Sequence, residues 1–174
     1  GRAGREEPGI CVRLYSESQL NQQPYVPSAE ILHSDLAPLA MELAQWGCSE
    51  ASDLKWLDVP ASSSLAQARA LLISIETFQL TVMGQRAQQL GLDPRISSML
   101  VQASNNKDWV STALAIAALI EEPERNVLDF SHSVQRFITN KHSKQKLVQQ
   151  RAQSLASKLK SKFVLSDVDE RLVA

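Results

Sequence analysis

Two arginines three residues apart, set among glycines, open the chain as Gly1-Arg2-Ala3-Gly4-Arg5. A guanidinium is planar, permanently charged and able to hold two oxygens of one anion. Glycines between two such groups let the backbone bring both to the same anion. Such a pair could stabilise charge on a phosphoryl group in transfer. Taken alone, the same five residues read equally as a flexible, nucleic-acid-binding Gly-Arg tail.

A second cationic stretch lies near the other end. Lys141, Lys144, Lys146, Arg151, Lys158, Lys160 and Lys162 follow one another with no acid between them. In a chain whose formal net charge is only -1, nucleic-acid contact must come from such a local patch. The alternative is a solvated helix face opposite an apolar stripe. His33, His132 and His142 are scattered and read as surface histidines, so no metal site is expected. Cys11 and Cys48 are too few for a disulfide framework and wrongly spaced for zinc, which fits a reducing compartment. Trp46, Trp56 and Trp109 could stack on bases, but Trp46 falls on an apolar stripe and is expected in the core.

Helices must position these groups. The 174 residues, 44% of them apolar, suffice for one good core or two small ones. Ile10 to Tyr15 reads as a short strand, and residues 16–29 as a loop. Asp35 can cap a helix carrying Leu36, Leu39, Ala40, Leu43 and Trp46, stopped by Gly47. A further start over Ser49 to Asp53 leads to a break at Pro60. Ser64-Leu65-Ala66-Gln67 has the capping-box pattern, ahead of a Leu65, Ala68, Leu71, Leu72, Ile75 stripe. Thr77-Phe78-Gln79-Leu80 is β-prone, and Thr81 can cap the next helix. Asp93-Pro94 is a cap followed by proline at the first helical position. Residues 108–121 are apolar nearly all round and should form the central helix. Residues 126–139 form an amphipathic segment with Phe130, Val134, Phe137 and Ile138. Residues 144–160 form a last helix with Leu147, Val148, Ala152, Leu155 and Leu159 inward. No apolar run approaches the roughly 18 residues that span a bilayer, and no secretory signal is visible.

The opening glycines and arginines resemble the last two-thirds of helicase motif VI, Gln-Arg-x-Gly-Arg-x-Gly-Arg. Pro8-Gly9-Ile10-Cys11-Val12-Arg13-Leu14-Tyr15 looks like the stretch that follows it in DEAH-box helicases. Glu30-Ile31-Leu32, Leu80-Thr81-x-x-Gly84 and Leu92-Asp93-Pro94-Arg95 with Met99-Leu100 recur downstream in the family's order. The wording from Ile31 to Leu57 is nearest the bacterial HrpB-type branch. The resemblance covers residues 1 to about 122 well and the rest loosely. It favours the finger reading of the arginines over the tail.

The resemblance implies a mainly α fold in three parts. Residues 1–24 would end a second RecA-like motor domain, 25–91 would form a winged helix, and 92–174 would begin a ratchet-like helical bundle. Arg2 and Arg5 would be catalytic finger arginines, with Gly1 and Gly4 beside them at the nucleotide. Lys141, Lys144, Lys146 and Arg151 would touch RNA or another single-stranded nucleic acid, since the family's bundle helps line that channel. The partners would be that nucleic acid and the remaining motor domains of a longer, cytoplasmic chain. The sequence holds no Gly-x-x-x-x-Gly-Lys-Ser/Thr loop and no Asp-Glu-x-His box. ATP with magnesium therefore belongs to a longer parent protein, and no cofactor is expected on this chain alone. Ile73 and Thr77 stand where the family's wing hairpin carries glycines, so a longer or differently shaped wing is expected. The competing reading is a stand-alone winged-helix binding or scaffold protein without ATPase activity.

Overall fold

The structure is a computed structural model. It describes every residue except 1–3, 5, 49, 76–80, 126–128 and 173–174. The described residues form eight α-helices and no strand: α1 (Glu17–Asn21), α2 (Ala37–Gln45), α3 (Ser62–Ser74), α4 (Val82–Leu90), α5 (Pro94–Ala103), α6 (Lys107–Glu121), α7 (Phe130–Ile138) and α8 (Gln145–Lys158).

Several helix starts follow from capping chemistry. The first N–H groups of a helix have no partner within it, and a short oxygen-bearing side chain can accept from one of them. Thr81 Oγ1 accepts from Gly84 N at 2.9 Å, starting α4. Asp93 Oδ1 accepts from Arg95 N at 2.9 Å, with Pro94 at the first helical position of α5. Asp35 Oδ1 accepts from Ala37 N at 2.8 Å. Asn106 and Asp129 do the same for α6 and α7. The expected capping box at Ser64 does not form. Helix α3 begins earlier, at Ser62, with no side-chain cap, which places Ser64 already inside the helix.

Three helices end alike. Cys48 N bonds back to Leu43 O after α2, Lys141 N to Arg136 O after α7, and Ser161 N to Ala156 O after α8. Each closure needs one residue in the left-handed region. These are Gly47 (φ +74°), Asn140 (φ +58°) and Lys160 (φ +55°).

Two cores result. One joins α2 and α3 through Leu36, Ala40, Leu43, Leu65, Ala68 and Leu72. The other joins α4 to α8 around α6, with Leu90, Leu100, Leu114, Val134, Phe137 and Leu155 buried. The division falls between α3 and α4. Helix α6 is central, as its composition predicts, but its buried Ser111 and Thr112 are not idle. Ser111 Oγ accepts from Val164 N at 3.2 Å and Thr112 Oγ1 from Asp169 N at 3.0 Å, pinning the C-terminal segment. Phe163 of that segment stacks on Phe137.

Other expectations fail for identifiable reasons. Ile10 to Tyr15 is not a strand: Ile10 and Leu14 are over 90% exposed. A strand needs neighbours for its N–H and C=O groups, and the described residues offer it none. The start over Ser49 to Asp53 yields only a single 3₁₀ turn, Ala51–Asp53. Ile73 lies within α3, so it starts no hairpin, and Thr77-Phe78-Gln79-Leu80 lies outside the described residues. Trp46 is 75% exposed because the buried stripe of α2 runs through Ala37, Ala40, Met41 and Leu43, and position 46 falls well round the helix from it. Leu147 also faces outward. The buried stripe of α8 runs through Val148, Ala152, Leu155 and Ala156, and Leu147 lies one position off it.

Candidate nucleic-acid interface

Helix α8 places its cations in two environments. Lys144, Arg151 and Lys158 are seven residues apart, two turns each, and so share one flank. Every one has a partner there. Lys144 Nζ donates to Glu122 Oε2 at 2.9 Å. Arg151 grips Glu121 with two guanidinium nitrogens, Nη2 reaching Oε1 at 2.9 Å. Lys158 Nζ donates to the carbonyl of Leu90 at 2.9 Å, where α4 ends and its dipole favours a cation. The flank is thus a seam tying α8 to the ends of α6 and α4. The hydrogen bonds that Arg151 donates to Glu121 raise its pKa further, against the opposing effect of burial.

Lys141, Lys146, Lys160 and Lys162 are exposed and make no ion pair among the described residues. Around Lys146 the outer face carries Gln150, Gln153, Ser154 and Ser157, all exposed and uncharged. Such a surface can contact phosphates through the lysines and sugars or base edges through the amides and hydroxyls.

Beneath the seam lies a nearly buried carboxylate. Only 4% of the Glu124 side chain is exposed. Its Oε1 accepts from Ser143 N at 2.6 Å, and its Oε2 from Arg136 Nε at 2.9 Å. Burial pushes its pKa up, but the Ser143 and Arg136 hydrogen bonds and the charge of His142 outweigh this and hold it at about 2. His142 is buried, contrary to the surface position expected from the sequence. Its Nδ1 accepts from Lys144 N at 3.1 Å, and its Nε2 stands 3.8 Å from Glu124. Burial lowers its pKa, Glu124 opposes that shift, and the nearby Arg136 and Lys144 add to it.

Of the expected nucleotide-binding residues, Gly1, Arg2 and Arg5 lie outside the described residues. Gly4 is described, in a turn at φ +88°, a backbone that side chains disfavour. Trp109 is 54% exposed, and among the described residues no cluster of His, Cys, Asp and Glu could hold a metal. No helix among them is long and apolar enough to cross a membrane. The partners Glu121, Glu122 and Glu124 were missed in the sequence. Their signal was the acidic run Glu121-Glu122-Pro123-Glu124, but nothing local says that it meets cations 12 to 30 residues later.

No family model matches the chain. It is 45% identical over 128 residues to the ATP-dependent RNA helicase HrpB of Escherichia coli strain K12, a match covering 72% of this chain and 16% of that protein. It is 30% identical over 135 residues to an ATP-dependent RNA helicase HrpA homolog of Haemophilus influenzae, covering 71% of this chain and 10% of the relative. The crystal structure of the Escherichia coli DExH-box NTPase HrpB superposes with a TM-score of 0.71 at 38% identity, covering 99% of this chain and 20% of that one. The chain thus spans between a tenth and a fifth of the length of the proteins it matches. The sequence match covers 72% of the chain and the structural match 99% of it, and the chain belongs with the HrpB-type DEAH-box helicases.

Proposed function

We propose that this chain is the helical accessory part of an ATP-dependent RNA helicase, joined to the edge of its second motor domain. The carrying observation is the 45% identity to a protein named as an ATP-dependent RNA helicase. In this reading residues 1–24 end the motor domain, 25–91 correspond to the winged helix, whose last helix α4 packs into the core of the following bundle, and 92–174 correspond to the ratchet-like bundle. Residues 10–15, exposed and unpaired here, would find their neighbours in that motor domain.

Arg2 and Arg5 would meet charge developing on a phosphoryl group, with Gly4 permitting the close approach. Two guanidinium groups are a suitable donor set for a triphosphate, and ATP with magnesium, when bound, supplies the group transferred. The phosphate loop and the metal-binding box would come from the parent protein, which would act in the cytoplasm, and this chain alone would turn over no ATP. On α8 the phosphate contacts would fall first to Lys141 and Lys146, with Lys160 and Lys162. Lys144 and Arg151, engaged with Glu122 and Glu121, would serve mainly to hold the helix.

The test is Arg2→Ala and Arg5→Ala in the parent protein. Each should lower RNA-stimulated ATP turnover by about 10³-fold while RNA affinity persists. Turnover equal to the unaltered protein would remove the assignment.

A further inference from the structure

The two cores have no buried residue in common, and specific polar contacts cross between them. Gln88 Nε2 donates to Gln45 Oε1 between α4 and α2. Ser98 Oγ donates to the carbonyl of Ile75 at 3.0 Å, from α5 to the end of α3. Arg95 Nη1 lies 2.8 Å from Asp35 Oδ2 and 3.4 Å from Asp93 Oδ2. An open groove of about 560 Å³ lies over α5 and α6, lined by Arg95, Ser98, Met99 and Trp109 among others, and reaches Ile75 at the end of α3.

The arrangement at Arg95 is specific. Asp35 caps α2 in one core with Oδ1, and Asp93 caps α5 in the other with Oδ1. Each keeps Oδ2 for the same guanidinium. Two helix N-termini, both positive ends of dipoles, therefore meet at one site. The two carboxylates offset that repulsion, and one guanidinium nitrogen, Arg95 Nη1, stands between them. The cap from Ala37 and the pairing with Arg95 lower the Asp35 pKa, against the opposing effect of its burial. Both partners are about half exposed, and exposed ion pairs add little to stability. Their fixed geometry can still set an angle.

We propose that Arg95 is a positioning clasp: by joining the cap of α2 to the cap of α5 it fixes the orientation of the α2–α3 core relative to the α4–α8 core. The clasp acts on geometry more than on stability, and salt loosens it. This inference is independent of the helicase reading.

The experiment is a distance distribution between spin labels in the full chain. Labels go on exposed positions in each core, Gln67→Cys and Gln153→Cys, in a Cys11→Ser, Cys48→Ser background. The unaltered junction should give one narrow distribution. Arg95→Ala should lose it, giving a broad or shifted one, with the thermal midpoint nearly unmoved. Asp35→Asn should do the same, because asparagine keeps the cap while dropping the charge. Salt at 1 M, where screening acts within about 3 Å, should broaden the unaltered protein toward the Arg95→Ala result. Arg171→Ala, which removes an exposed pair with Asp169 inside one core, should change nothing. The clasp is refuted if Arg95→Ala and Asp35→Asn both keep the narrow distribution, or if Arg171→Ala broadens it equally.

Discussion

Lys144 and Lys146 stand two residues apart at the start of one helix and live in different chemistry. Lys144 reaches back to Glu122, and two turns on Arg151 reaches Glu121. Lys146 points outward beside glutamines and serines and pairs with nothing among the described residues. A run of cations that looks uniform in sequence therefore divides into a seam that holds the helix and a face that is free to bind. Charge alone does not assign a role; the partner across the groove does.

The division can be broken most forcefully from below. Leu155→Ala empties a fully buried site under the seam, and should cost ~2–5 kcal/mol in denaturant unfolding. Both faces of α8 would then lose their definition together.

Glu124 is the next lever. Glu124→Ala leaves the Arg136 guanidinium and the Ser143 N–H without their acceptor and should cost about 2 kcal/mol. The same carboxylate gives a pH dependence with a definite sign. Its pKa is lowered from 4.5 to about 2 in the fold, so its contribution is present above 4.5 and is lost as pH falls through the interval down to about 2. His142 is also lowered, from 6.5. Its unfolded form takes up a proton first, so stability also falls as pH drops below 6.5. Stability measured by urea unfolding should decline monotonically into acid. Glu124→Gln should make the lower part of that decline shallower, and an undiminished slope would show that Glu124 does not contribute to it.

The two faces themselves are separated by smaller effects. Arg151→Ala should lower stability by roughly 0.5–1 kcal/mol and leave the salt dependence of RNA affinity nearly unchanged. Lys146→Ala should leave stability unchanged and reduce the magnitude of the salt slope by about one. The reverse outcome, with Arg151 governing the slope and Lys146 the stability, would overturn the division.

What was legible in the sequence was local. Thr81 and Asp93 announced their helices because a cap is written within three residues of the helix it starts. The central place of α6 was legible because an almost wholly apolar helix can only be inside. The chemistry that separates Lys144 from Lys146 was not, since it depends on a glutamate 22 residues earlier in the chain. His142 looked like a surface residue for the same reason. Its burial comes from Phe137, Glu124 and the closing turn of α7, none of which a histidine advertises. Trp46 was misplaced because the stripe that is buried runs through Ala37, Ala40, Met41 and Leu43, and not through position 46. The four residues of the nucleotide edge carry a resemblance, and of them only Gly4 is among the residues described.

The turn that ends α8 carries a conflict of interest. Lys160 occupies a left-handed position that glycine occupies after α2 and asparagine after α7. A lysine backbone held there gives up a fraction of a kcal/mol that Lys160→Gly should return, up to ~1 kcal/mol. The same change removes one of the exposed cations on the free face. Stability and affinity are thus set against each other at one residue, so a search for a tougher variant of this protein would find Lys160 early and weaken its grip by the same step.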